Sequence, residues 1–157
     1  MRQILQIVVA PAAAGVLGLA AGALLAEAVV LVPYWRSLEP ATFLAWYAAH
    51  AELLFRFFAP LEITGTILAI AAAVLARKPL RRASGLRLAS AVLAVAVLAA
   101  FPLYFGEVNA SFAAGTIPHE ALADELTRWA AWQWARTLLQ IAAFAAALLG
   151  LRERLEH

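Results

Sequence analysis

The chain is 157 residues long, 65% hydrophobic and only 14% charged, with a formal net charge of +2 and no cysteine. A soluble domain is about half apolar and about a quarter charged, so much of this apolar surface needs lipid as its solvent. The absence of cysteine excludes disulfides, thiolate metal sites, iron–sulfur clusters and dithiol redox chemistry. The few cations are clustered and read as topology signals, not as a nucleic-acid surface.

In chain order, four apolar segments stand out, each at least the length of about 20 residues that spans a hydrocarbon core. The first runs over about 4–32 and starts behind Arg2. It is too long for the apolar region of a cleavable signal, about 7–15 residues, so it is expected to persist as a span. Gly15, Gly18 and Gly22 offer a small-residue face for close helix packing. A turn at Pro33 follows, with Trp35 suited to a membrane interface, as are Trp46 and Trp134.

The second helix is expected over about 41–76, with 41–57 as an outer extension, either upright or lying on the surface and hinged near Pro60. The third is expected over 87–106. After a turn at Gly115–Pro118, the fourth is expected over 122–151, with Asp124 and Glu125 at its N-terminal end. The expectation is thus an all-α, integral-membrane four-helix bundle forming a single domain over 1–157.

Basic residues orient it. Arg2, the group Arg77, Lys78, Arg81, Arg82 and Arg87, and the pair Arg152 and Arg154 all fall on one side of a four-span topology. The positive-inside rule makes that side cytoplasmic, with both termini there. Composition points to a bacterial inner membrane.

Ionisable groups at membrane depth are costly and mark candidate sites. At about 1.5 Å per residue, Glu62 stands about 21 Å above the cytoplasmic end of its helix, Arg136 about 23 Å and Glu107 about 28 Å. Glu27 falls roughly 8–9 Å below the outer end of the first helix. All four helices therefore place a charge in the outer third, and none is expected in the inner half. Trp129, Trp132, Arg136 and Gln140 recur at helical spacing and share a face. Glu62 and Arg136, at equal height, are expected to pair as a structural salt bridge. No Glu-x-x-His pair is present for a di-iron site, and His50 alone does not support haem ligation. No cofactor is therefore expected, with a single metal ion or haem as a third reading.

Two sequence features carry a resemblance. One is the stretch from Pro102 to Asn109 that ends the third helix. The other is RWAAWQWART, Arg128 to Thr137, entering the fourth; the turn VPYWRSL at 32–38 fits the same layout. The chain resembles the small four-helix membrane family that includes the anthrone oxygenases. That resemblance implies an oxidoreductase that turns a lipophilic aromatic substrate into a quinone with molecular oxygen and no conventional cofactor. A His and an acidic residue have been implicated in that family, and His50 and Glu107 are the nearest positions here.

The residues themselves place Glu27, His50 and Glu107 as acid–base candidates, with Asn109 and Arg136 as polarising groups. Trp132, Trp129, Tyr104 and Glu62 are expected to line an outward-facing pocket. The alternative is a non-enzymatic protein, either a binder of lipophilic ligands or a subunit of a membrane complex. The bilayer and a lipophilic small molecule are the expected partners, and a homo-oligomer is left open.

Overall fold

The computed structural model describes residues 2–76 and 82–155, with side chains described for 7–76 and 82–152. Arg77, Lys78 and Arg81 of the basic group lie outside the described residues, as do the side chains of Arg2 and Arg154. Among the described residues the chain forms four long helical rods. The first helix runs over Arg2–Ala26, passes through a π-helical turn at Glu27–Leu31 and ends with Val32–Arg36. The second is unbroken from Pro40 to Val74. The third runs over Arg82–Ala100, a second π turn at Phe101–Phe105, and Gly106–Ala114. The fourth is His119–Leu155.

Each rod contains a stretch long and apolar enough to cross a membrane. Each packs on its neighbour in chain order, and the first meets the fourth to close the ring. Leu19, Ile67, Val74, Val92 and Leu103 are all more than half exposed around the outside. Water would make such a coat an aggregation surface; hydrocarbon makes it ordinary.

The helix bounds differ from the apolar segments in an informative way. The third helix starts at Arg82 and extends past 106 to Ala114, because polar Ser84, Glu107 and Asn109 end a hydrophobic run without ending a helix. Pro60 does not break the second helix, so 40–57 is its outer part. A 35-residue helix is about 52 Å long, against about 30 Å of hydrocarbon. The rods therefore overrun the apolar layer.

Both π turns sit against a proline, Pro33 just after the first and Pro102 inside the second. A proline lacks the amide for the helical ladder and crowds the carbonyl four residues back; for Pro33 that is Val29, inside the widened turn. The consequence is a register step. Buried positions on the third helix advance by three or four from Arg87 through Ser90, Ala94 and Val97 to Ala100, then by five to Phe105. Across the other π turn the buried positions of the first helix are Leu24, Glu27, Ala28, Val32 and Trp35. One extra residue per turn rotates everything beyond it by about 100°.

The two ends of the bundle pack differently. One end is filled by Ala14, Leu17, Ala69, Ala91, Ala94, Ala143 and Ala147, small side chains that let helix backbones approach closely. The other holds Trp35, Phe43, Tyr47, Phe105, Phe112 and Trp129 in edge-to-face contact. Trp35 is 1% exposed, so it is a core residue of this aromatic end and not an interface anchor. Of the three small residues in the first helix, only Gly18 is closely packed, since a Cβ there would sit 2.9 Å from Phe144 Cε2. Nothing lies within 4 Å of such an atom at Gly15 or Gly22. The alanine-rich end is not free of charge either: Arg87 is buried and donates to Gly150 O at 3.5 Å.

Candidate functional site

Helix four supplies a polar ladder that clamps the first helix. Gln133 Nε2 donates to Leu24 O at 3.1 Å, Thr137 Oγ1 to the same carbonyl at 3.3 Å, and Gln140 Nε2 to Leu17 O at 3.1 Å. In an apolar surround each of these side chains must find an acceptor on a neighbouring helix. The same face carries Arg136, one turn from Gln133.

Arg136 is 7% exposed and meets carboxylates from two other helices. Its Nη2 donates to Glu27 Oε2 at 3.0 Å and to Gln133 Oε1 at 2.8 Å, and its Nε donates to Gln133 Oε1 at 3.1 Å. Gln133 Nε2 in turn donates to Glu27 Oε2 at 2.8 Å. The guanidinium carbon lies 4.4 Å from the centre of the Phe105 ring, a cation–π contact that covers one side.

The second carboxylate is held more loosely. Glu62 Oε1 is 3.6 Å from Arg136 Nη1, beyond hydrogen-bonding length, and this buried atom has no hydrogen-bond partner. The expected Glu62–Arg136 bridge is therefore the weaker arm of a triad, and Glu27 is the principal partner of the arginine. Equal height put Glu62 and Arg136 together in the sequence reading. The choice between two carboxylates at that height depends on rotation about the helix axes, which height along an axis does not carry.

Beside this triad, between the second and third helices, lies a cleft of about 560 Å³, within the size range of small-molecule sites. Its walls include Leu54, Phe55, Phe58, Ile63, Leu98 and Phe101. Its polar lining comes from Glu27, Tyr47, Glu52, Glu62, Asn109, Trp129 and Arg136. Phe55 and Phe101 are 52% and 39% exposed, with ring centres 6.1 Å apart, so the cleft opens sideways between these two helices. Nearby, Glu52 and Arg56 pair at 2.7 Å on the surface.

The structure gathers Glu27, Glu62, Asn109, Trp129 and Arg136 around one space. Asn109 Oδ1 accepts the Trp129 indole N–H at 2.9 Å, which leaves the amide NH2 of Asn109 free of that bond. Four other expected residues do not join them. Glu107 is exposed, one position off the stripe Pro102, Gly106, Asn109 and Ala113 that lines the cleft. His50 stacks on Trp46 with ring centres 4.3 Å apart, and its Nδ1 lies 2.7 Å from Trp46 O, which turns the ring away from the cleft lining. Trp132 and Tyr104 stack on each other at 5.0 Å on the outside of the bundle, and Tyr104 donates to Glu125 Oε1 at 2.7 Å. Tyr47, by contrast, was not anticipated. It is 3% exposed and lines the cleft, and its position four residues before Ala51 and 15 before Glu62 puts it on their helix face.

Among the described residues no three His, Asp or Glu side chains converge as a metal-binding group. Glu27 and Glu62 are the nearest to a ligand pair, and Arg136 stands against both. No family model, curated protein or solved structure matches the chain.

Proposed function

We propose that this chain is a multi-pass membrane protein that takes a flat lipophilic molecule from the bilayer into the cleft and exchanges a proton with it at Glu62. The observation that carries this reading is an apolar cleft of about 560 Å³ lined by a buried carboxylate one of whose oxygens lacks a hydrogen-bond partner. Glu27 is engaged by Arg136 and Gln133, so it orients the arginine, whereas Glu62 retains capacity to accept. The positive-inside pattern puts the aromatic end and the cleft on the outer side. The exposed Glu52–Arg56 pair belongs at the headgroup level, since hydrocarbon does not hold exposed charge. Phe55 and Phe101 then face acyl chains and form a lateral entrance.

The chemistry that best fits is oxidation of an acidic methylene in an electron-rich ring system, as the resemblance to the anthrone oxygenases implies. Glu62 removes the methylene proton, and the charge spreads onto the ring oxygen. The Asn109 amide NH2, which the Trp129 bond leaves free and which lines the cleft, stabilises that oxyanion. The anion combines with molecular oxygen to a peroxide anion, which takes the proton back from Glu62, and the hydroperoxide so formed loses water to leave a ketone. The balance is one CH2 and one O2 giving one C=O and one H2O. Trp129 borders the ring plane.

Purified protein in lipid nanodiscs supplied with anthrone tests this. Quinone absorbance and oxygen uptake should rise in a one-to-one ratio, above protein-free discs. E62Q should abolish the excess, and E107Q should retain it. Oxidation by E62Q at the wild-type rate would refute the assignment. The triad also ties three helices together, which favours a structural role as the second reading; in that case E62Q would lose stability, E107Q would not, and wild type would oxidise anthrone no faster than protein-free discs.

A further inference from the structure

The charges that line the cleft are unequal. Glu27, Glu52 and Glu62 stand against Arg136, and the Glu52 charge is met outside by Arg56 at 2.7 Å. Two carboxylates therefore share one guanidinium in the buried part. Of the guanidinium only Nη1 is left without a hydrogen bond among the described residues, and it stands 3.6 Å from Glu62 Oε1. Nε and Nη2 are directed at Gln133 and Glu27, and the Phe105 ring sits against the guanidinium carbon. An anionic head that reaches for Nη1 meets the Glu62 carboxylate beside it, with Glu27 on the same guanidinium. A donor head meets Glu62, 94% buried and with Oε1 unpartnered, and so supplies what the site lacks.

We infer that the cleft selects its ligand by the head presented to Glu62. It takes a flat apolar body bearing a hydrogen-bond donor, a hydroxyl or an ammonium, and turns away an anionic head. The inference rests on the cleft being a ligand site, but not on any oxidation there. The aromatic walls, Phe55, Phe58, Phe101 and Trp129, suit the body, and Glu62 sets the specificity of the head. An isolated cationic or hydroxyl donor gains most from such an acceptor where water is excluded.

Four probes with one body separate the cases: 2-naphthol, 2-naphthylmethylammonium, naphthalene and 2-naphthoate, titrated calorimetrically into protein-containing and protein-free nanodiscs. After subtraction of lipid partitioning, naphthol and the ammonium should bind at least 10-fold tighter than naphthalene, about 1.4 kcal/mol, and naphthoate weakest. E62Q should bring naphthol and the ammonium to within 3-fold of naphthalene and strengthen naphthoate. Preference for the ammonium alone would mark charge as the selected property, and preference for both would mark the donor; either supports the inference. Equal binding of all four heads, or naphthoate binding as tightly as naphthol, overturns the inference and leaves the cleft as a ligand site. Absence of binding by every probe overturns both. The wild-type series decides the matter by itself should E62Q fail to fold.

Discussion

Replacing Arg136 by methionine isolates the energetics of the triad. In the native bundle the guanidinium makes three hydrogen bonds of 2.8–3.1 Å, to Glu27 and Gln133, and stands 3.6 Å from Glu62. Methionine fills much of the volume and keeps contact with Phe105, so packing loss is small. What remains is electrostatic. Glu27 keeps only the Gln133 amide at 2.8 Å, and Glu62 keeps no cation in reach. Removing one member of a buried ion pair costs about 3–5 kcal/mol, because a charge is left uncompensated. Replacing every member by apolar groups of similar size is about neutral or stabilising. The R136M variant should therefore be destabilised by about 3–5 kcal/mol, and the triple variant E27M/E62M/R136M should recover at least about 2 kcal/mol of that. Unfolding in mixed detergent micelles, followed by helical circular dichroism, measures both. An R136M stability within about 1 kcal/mol of wild type, or a triple variant no more stable than R136M, would show that the charges are not buried as described.

Three further outcomes follow from local geometry. G115A should lose about 1–2 kcal/mol, since Gly115 closes the third helix at a φ of 63°, where a Cβ is strained; G22A, where nothing lies within 4 Å, should be no less stable than wild type in the same unfolding assay. G18V should be destabilised through the 2.9 Å approach to Phe144, and F144L should restore at least half the loss in a double-mutant cycle; independence of the two positions would contradict the packing. Because the chain has no cysteine, single cysteines report topology without background: an impermeant maleimide should label position 116 from the outer face of intact cells and position 78 only after permeabilisation. The reverse pattern would invert the bundle and move the cleft to the cytoplasmic side.

Much of the architecture is legible in the sequence because it depends on quantities that add along one chain. Four apolar runs predict four spans, and the basic cluster at 77–87 predicts which ends share a side. Counting a fixed rise per residue put Glu27, Glu62 and Arg136 near one level, and the structure brings all three together. Height along a helix axis is barely disturbed by a proline or by one extra residue in a turn.

Rotation about the axis is different. Each π turn shifts the residues beyond it by about 100°, which is enough to exchange a lining position for an exposed one. That is why the cleft-lining positions Gly106, Asn109 and Ala113 cannot be read off the face that Arg87 to Ala100 define, while Glu107, two residues from Asn109, lies about 200° round the helix on the exposed side. The cleft itself has no signature in any single segment. Its lining is drawn from all four helices, Glu27, Tyr47, Asn109 and Arg136 among it, so only the assembled bundle can express it.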